Sequence, residues 1–138
     1  MPDTYAAAVS HGGVWVGIEG EDCIDSHITD FERNLKGLRR VAQHLLPDGL
    51  LIIGIQHEHK TCSNVSLGEG SIYSSKVEFQ GDLIYKQHLV EADGKVLAEQ
   101  NVVIRRFDEE TYSRMMGCVG FSGLGKDQSN KFWIFQRR

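Results

Sequence analysis

The chain has 138 residues, the length of one domain, and its 41% hydrophobic and 25% charged residues are typical of a globular protein. A formal charge of −4 without a basic block argues against binding to nucleic acid, and no apolar run reaches the roughly 20 residues of a membrane span. Three unevenly spaced cysteines favour free thiols, and the first residues do not form a signal peptide. We therefore expect a single domain over residues 1–138, located in the cytoplasm.

The first third of the chain begins with short apolar segments. Tyr5–Val9 is a continuous apolar run that predicts a buried strand, and it ends in a glycine-containing loop at 10–13. The segment 14–18 is apolar again and predicts a second strand. The acidic segment 19–25 shows no periodicity, and we expect it to be irregular.

A helix is predicted over residues 30–46. Apolar residues recur there at steps of three and four, which places them on one face of a helix. Thr29 and Glu32 have the spacing of a capping box at the helix start. Pro47-Asp48-Gly49 is a turn signal that would end the helix.

The segment after this turn predicts a strand of a parallel sheet. Residues 50–55 are apolar at consecutive positions, which is typical of a strand that is covered on both faces. The strand ends in a polar cluster that contains His57 and His59. Open α/β sheets bind ligands at the carboxyl ends of their strands, so we expect chemistry there.

The second half of the chain changes character. Residues 60–70 predict a loop, whereas 71–107 contains partly alternating segments that predict antiparallel strands, with a hairpin turn at Asp93-Gly94. Three acids at 108–110 favour the start of a second helix, because they complement its positive end. The segment 131–135 predicts a final strand.

In this order, the elements resemble the second half of a class I S-adenosylmethionine-dependent methyltransferase. The resemblance lies in the His-Gly-Gly loop at 11–13, the Leu-Pro-Asp-Gly-Leu turn at 46–50, the antiparallel segment, the Asp-Glu-Glu helix and Gly120-Phe121. The nearest subgroup by pattern is the small-molecule enzymes of the glycine N-methyltransferase kind. The resemblance implies an α/β fold: the last four strands of a partial Rossmann-like methyltransferase sheet, with residues 71–107 as an antiparallel β insertion.

The resemblance also implies a function, which is methyl transfer from S-adenosylmethionine to a small-molecule acceptor. It assigns a catalytic role to His11, and it places Ser10, His11 and Gly12 against the cofactor. Gly13, Trp15, His57 and His59 would bind the acceptor, although Trp15 could equally be a core residue.

A metal site at His57, His59 and Cys62 is a weaker alternative. Two histidines at positions i and i+2 at the end of a strand point the same way, and a cysteine could add a third ligand. Zinc sites usually add a second spaced pair of ligands, and the sequence offers none. We therefore predict no metal.

Two features depart from the methyltransferase pattern. The family's turn reads Pro-Gly-Gly where this chain has Asp48, and no glycine-rich G-x-G-x-x-G loop for the cofactor is present. We therefore expect a truncated or split enzyme that is inactive as an isolated chain. It would need a front-half polypeptide as partner, or would self-associate through an unprotected edge strand at Tyr5–Val9. A non-catalytic interaction module and a metal-binding β protein remain alternative functions.

Overall fold

A computed structural model describes residues 3–138, which form two helices and ten strands. The helices are α1 (Phe31–Gln43) and α2 (Glu109–Cys118). The strands are β1 (Tyr5–Ser10), β2 (Trp15–Ile18), β3 (Cys23–Ser26), β4 (Leu45–Gln56), β5 (Cys62–Gly68), β6 (Ser71–Gln80), β7 (Leu83–Ala92), β8 (Lys95–Asp108), β9 (Phe121–Lys126) and β10 (Phe132–Arg137). Neither helix is long and apolar enough to cross a membrane.

All ten strands belong to one sheet, in which β4 pairs with three other strands. Strands β1 and β2 both pair with β4 in parallel, β1 along its length and β2 at its end. Strand β10 pairs with the other side of β4 in the antiparallel direction, and β9 in turn is antiparallel to β10. The parallel strands β4 and β9 are therefore separated by one antiparallel strand.

The rest of the sheet is an antiparallel ribbon in the order β3, β8, β7, β6, β5. The predicted hairpin is confirmed, because Asp93 and Gly94 both have positive φ angles, 52° and 71°, as a two-residue hairpin turn requires. Two sequence predictions were wrong here. The segment 60–70 contains β5, and the acidic segment 19–25 runs into β3. Both strands are short and poor in alternating apolar residues, so pairing with β6 and β8 defines them.

Helix α1 is confirmed but starts and ends differently from the prediction. The N-cap is Asp30, whose side chain accepts a hydrogen bond from the Arg33 amide at 3.1 Å, so the capping box at Thr29 is wrong. The helix ends at Gln43 rather than near 46, because Leu45 already belongs to β4 and is buried. Helix α2 begins after Asp108, which caps it through the Thr111 amide.

The Pro47-Asp48-Gly49 segment is a bulge within β4 and does not end the helix. Asp48 has a φ of 63°, and the pairing with β1 jumps from Tyr5–Leu45 to Ala7–Leu50. A Cβ atom at Gly49 would lie 2.8 Å from the carbonyl oxygen of Leu46, so the bulge needs glycine there.

Both helices contribute to one hydrophobic core against the sheet. Leu38 of α1, Met115 of α2 and Ile53 of β4 are fully buried in it. Alternate residues of β4, Leu50 and Ile52, are only half-buried. The expectation that β4 is covered on both faces is therefore wrong for the part of the chain described. Strand β1 is likewise mostly exposed rather than buried.

Candidate functional site

An open cleft with a volume of about 720 Å³ lies at the carboxyl end of β4. Three strand ends and the loop between β9 and β10 form its walls. The lining residues are His11, Glu19, Gly20, Ile55, Gln56, His57, Lys126, Ser129, Asn130, Lys131 and Phe132. This is the edge at which open α/β sheets bind ligands.

His11 lies across the backbone of β4 at the floor of the cleft. A Cβ atom at Gly54 would come within 2.5 Å of the His11 Nδ1 atom, so the imidazole occupies the space that a larger residue would need. The ring centroid of Phe132 lies 5.9 Å from that of His11. The ring thus packs with its Nδ1 side against Gly54 and lies near an aromatic side chain.

His57 forms the second polar feature of the cleft together with Glu19. The His57 Nδ1 atom lies 2.6 Å from Glu19 Oε2, and both side chains are exposed. An exposed ion pair contributes little to stability, on the order of 0–1 kcal/mol. The pair therefore presents a carboxylate and an imidazole to the cleft without fixing the fold.

Lys126 and Lys131 add positive charge on the opposite wall. The Lys126 Nζ atom lies 4.8 Å from the centre of the Trp133 ring, which is within the range of a cation–π contact. The intervening loop is shaped by Asp127, whose side chain accepts hydrogen bonds from the amides of Lys131 and Phe132. The hydrogen bond from the Ser129 hydroxyl contributes most to holding the pKa of Asp127 below its usual value, and the bonds from the Phe132 and Lys131 amides add to this effect.

The loop after β1 is closed by Ser10. Its hydroxyl donates to the Trp15 carbonyl at 2.8 Å and accepts from the Trp15 amide at 3.3 Å. Gly12 has a φ of 65° and open space around its Cα, and Gly13 lies next to the Ser10 hydroxyl. Of the predicted cofactor residues, His11 lines the cleft, whereas Ser10 and Gly12 do not, and the Ser10 hydroxyl bonds to the backbone of Trp15.

Trp15 and His59 lie away from the cleft. Trp15 is 7% exposed, packs against Gly37 of α1, and donates its indole hydrogen to Asn34 Oδ1 at 2.9 Å. Trp15 is therefore a core residue, which was the alternative to its predicted role in binding the acceptor. His59 is 8% exposed and does not line the cleft, because its ring turns toward Asp25. Of the predicted site residues, His11 and His57 line the cleft, whereas Ser10, Gly12, Gly13, Trp15 and His59 do not.

A buried charge cluster beside the cleft was not found from the sequence. Asp25 is fully buried, with His59 Nε2 at 3.2 Å from its Oδ2. Arg106 donates to both oxygens of Asp25 at 2.8 and 2.9 Å and to both oxygens of Glu58 at 3.0 and 2.7 Å. The cluster ties the end of β4 to β3 and β8.

The electrostatics of this cluster follow from its geometry. Burial alone would raise the pKa of Asp25, but hydrogen bonds from His59 and Arg106 outweigh it and hold the pKa below its usual 3.8. The pKa of Arg106 is raised, chiefly by its bonds to Asp25. Burial and the Asp25 charge raise the pKa of Cys23 to about 12, so this thiol stays protonated.

Asp25, Glu58 and His59 also have ligand atoms that lie within 4.8 Å of one another. The arrangement does not favour a metal, because the Arg106 guanidinium already bonds to both carboxylates and would repel a cation. The predicted alternative of His57, His59 and Cys62 as ligands is not assembled among residues 3–138, since the two histidines contact different acids.

No protein-family model and no curated protein sequence matches the chain. Several solved structures have a similar fold. The sugar N-methyltransferase KedS8 from Streptoalloteichus matches 99% of this chain at 16% identity and a TM-score of 0.68, and the match covers 57% of KedS8. The amino pentose methyltransferase CalS10 from Micromonospora echinaspora, solved with bound S-adenosylmethionine (SAM), matches 100% of this chain at 14% identity and a TM-score of 0.64, over 60% of CalS10.

A SAM-dependent methyltransferase from Clostridium acetobutylicum also has a similar fold. It matches 99% of this chain at 14% identity and a TM-score of 0.68, and the match covers 60% of that protein. This chain thus spans about three fifths of the length of each of these structures. At these identities the similarity establishes the fold, which is that of part of a SAM-dependent methyltransferase.

Proposed function

We propose that this chain forms the acceptor side of a class I methyltransferase that transfers a methyl group from SAM to a small molecule. The observation that carries the proposal is the cleft at the carboxyl end of β4, with His11 and His57 on a fold shared with known methyltransferases. In this reading β1, β4, β9 and β10 correspond to the last four strands of the methyltransferase sheet. The ribbon β5–β8 is the antiparallel insertion.

The described residues fit one end of SAM and not the whole molecule. His11 lines the cleft, and the neighbouring Gly12 has open space around its Cα. The Ser10 hydroxyl, however, already donates to and accepts from the backbone of Trp15, and the sequence contains no glycine-rich loop of the kind that holds the rest of such a cofactor. When bound, SAM supplies a methyl group activated by its sulfonium.

The role of this chain is to hold and orient the acceptor. His11 would accept a proton from the acceptor, or orient it by a hydrogen bond, through Nε2, because the Nδ1 side of its ring packs against Gly54. The Glu19–His57 pair can bind a protonated amine at the rim. Alignment of donor and acceptor and exclusion of water supply most of the rate enhancement in such a displacement.

The Glu19 side of the cleft supports an amine as the acceptor group, whereas the opposite wall carries Lys126 and Lys131. Glu19 is the acid among its lining residues, and it lies at the rim beside His57. KedS8 and CalS10 are described as methyltransferases of a sugar nitrogen and of an amino pentose. We propose a small amine-bearing acceptor for this chain, with His59 and Trp15 in supporting positions behind the cleft rather than in contact with it.

The donor-binding loop would come from polypeptide outside these 138 residues, so the chain alone should bind SAM weakly. Calorimetric titration of the purified chain with SAM tests this, with ATP as a matched adenosine-containing control. We expect a dissociation constant no tighter than about 1 mM, equivalent to about −4 kcal/mol, for both ligands. A low-micromolar constant for SAM, about −8 kcal/mol, would show that a complete cofactor site lies within this chain and would contradict the division proposed here.

A further inference from the structure

The segment 58–61 leads from the end of β4 towards β5. It has no regular secondary structure, yet each of its four residues is bonded to another strand. The bonded partners are Arg106 on β8 for Glu58, Asp25 on β3 for His59, Ser75 on β6 for the Lys60 carbonyl and Val77 on β6 for the Thr61 hydroxyl. The segment is therefore held in one place by its neighbours in the sheet, although it is not itself a strand.

His57 is the cleft residue that directly precedes this segment. Its side chain is 88% exposed, and its ring contacts Glu19 with 2.6 Å between Nδ1 and Oε2. Glu19 is placed against β4, because its amide donates to the Gln56 carbonyl at 2.8 Å. An exposed pair of this kind contributes at most about 1 kcal/mol, which is too little to fix a loop residue. The position of His57 therefore depends on the residues beside it in the chain.

The bond between Glu58 and Arg106 is the anchor next to His57. Arg106 donates to the two oxygens of Glu58 from Nη1 at 3.0 Å and from Nη2 at 2.7 Å. Contact at two points between planar groups fixes their orientation as well as their distance. The same guanidinium donates to both oxygens of the fully buried Asp25. Glu58 is thus tied through Arg106 to a fixed point inside the protein.

We infer that Arg106 is a positioning residue for the cleft, because through Glu58 it holds His57 against Glu19. The importance of His57 rests on the proposed function, since His57 and Glu19 are the pair that would receive the acceptor amine. The buried cluster then has a task besides stability, because it links β3 and β8 to a side chain in the cleft.

Arg106 and lysine are not interchangeable in this role. A lysine at position 106 would keep the positive charge beside Asp25 but would carry a single nitrogen, which cannot bond to both oxygens of two carboxylates. Arg106→Lys therefore separates the positioning of Glu58 from the neutralisation of the buried charge.

NMR of the His57 ring tests the inference in the full chain. In the wild type, Glu19→Gln should shift the His57 ring resonances strongly, because the altered group lies 2.6 Å from Nδ1. In a Glu58→Ala background, the same substitution should cause a shift at least about threefold smaller, because His57 no longer lies against Glu19. Glu58 is 33% exposed and Asp25 still pairs with Arg106, so this variant should fold. Glu110→Ala, at an exposed position on α2, is the matched control and should retain the full shift.

Arg106→Lys is the second arm of the experiment. We expect the response of His57 to Glu19→Gln to be reduced here as in Glu58→Ala. A full response in either variant would overturn the inference, and Glu58→Ala decides alone where Arg106→Lys fails to fold. Because neither arm uses a ligand, failure of this inference is distinct from failure of the proposed function, which binding to the cleft tests.

Discussion

Gly54 determines where His11 lies at the floor of the cleft. The imidazole occupies the position that a side chain at 54 would fill, at 2.5 Å from the expected Cβ. A histidine in a loop gives no sequence signal of such support, and the contact joins residues from two different strands. The sequence could predict that His11 lies in the cleft, because the residue follows β1. It could not predict the orientation of the His11 ring over Gly54.

Gly54→Ala should displace His11 while leaving the fold intact. The added methyl group would lie 2.5 Å from the His11 Nδ1 atom and 3.4 Å from its Cα, so the ring must rotate away and the loop must shift slightly, and we expect a loss of about 1–3 kcal/mol in unfolding free energy. The imidazole resonances of His11 in NMR spectra should shift strongly. Gly117→Ala is the matched control, because a Cβ there meets nothing within 4 Å and should leave His11 unaffected. Unchanged His11 resonances in Gly54→Ala would contradict the described contact.

Asp25 carries a charge that is fully buried and paired with Arg106 and His59. Its pKa lies below 3.8 in the folded protein, so its stabilising contribution is present above about pH 4 and is lost as the pH falls through the lowered pKa. Asp25→Asn leaves Arg106 incompletely paired, and we expect a loss of about 3–5 kcal/mol at pH 7. The decrease in stability from pH 5 to pH 2 should also become smaller.

Urea unfolding at several pH values measures both effects for Asp25→Asn. Asp93→Asn is the control, because position 93 lies in an exposed turn and its change should stay within about 0.5 kcal/mol. A stability of Asp25→Asn at pH 7 equal to that of the wild type would show that the cluster does not tie the strands together.

Helix α1 lies between β3 and β4 in the chain, and its buried side chains form part of the core. Leu38 is fully buried beside Leu35, whereas the neighbouring Arg39 is exposed. The helix also approaches the sheet closely at Gly37, where a Cβ would contact the Trp15 ring at 3.3 Å. Its packing therefore fixes Trp15, which in turn bonds to the Ser10 loop.

Leu38→Ala should destabilise the protein by about 2–5 kcal/mol, because it leaves a cavity in the core. Arg39→Ala should change the unfolding free energy by about 0.5 kcal/mol or less, since its side chain faces solvent. Urea unfolding of the two variants gives the comparison. Similar losses for both would mean that this face of α1 does not pack on the sheet.

Elements with strong local patterns could be predicted from the sequence. The apolar stripe of α1 and the Asp93-Gly94 turn depend on residues close together in the chain. Strands β3 and β5 could not be predicted, because distant partners define them. The same holds for the charge cluster, in which Asp25 and Arg106 are separated by 81 residues. Periodicity reports local faces and carries no information about such long-range pairs.

At the scale of the whole molecule, the sheet is asymmetric. Its helices cover one face of β4, the other face is only half-covered, and β1 forms an unprotected edge. Parallel strands usually lie in sheets that are covered on both faces.

The central claim is that the loop 10–13 and the end of β4 together face the methyl donor and the acceptor. Backbone NMR of the chain titrated with S-adenosylhomocysteine at millimolar concentrations tests it most directly, because weak binding still shifts the amides at the contact site. We expect shifts at residues 10–13 and 54–57, and none at the ribbon turn around 68–71. Shifts confined to the ribbon, or no concentration-dependent shift at the cleft, would contradict the claim.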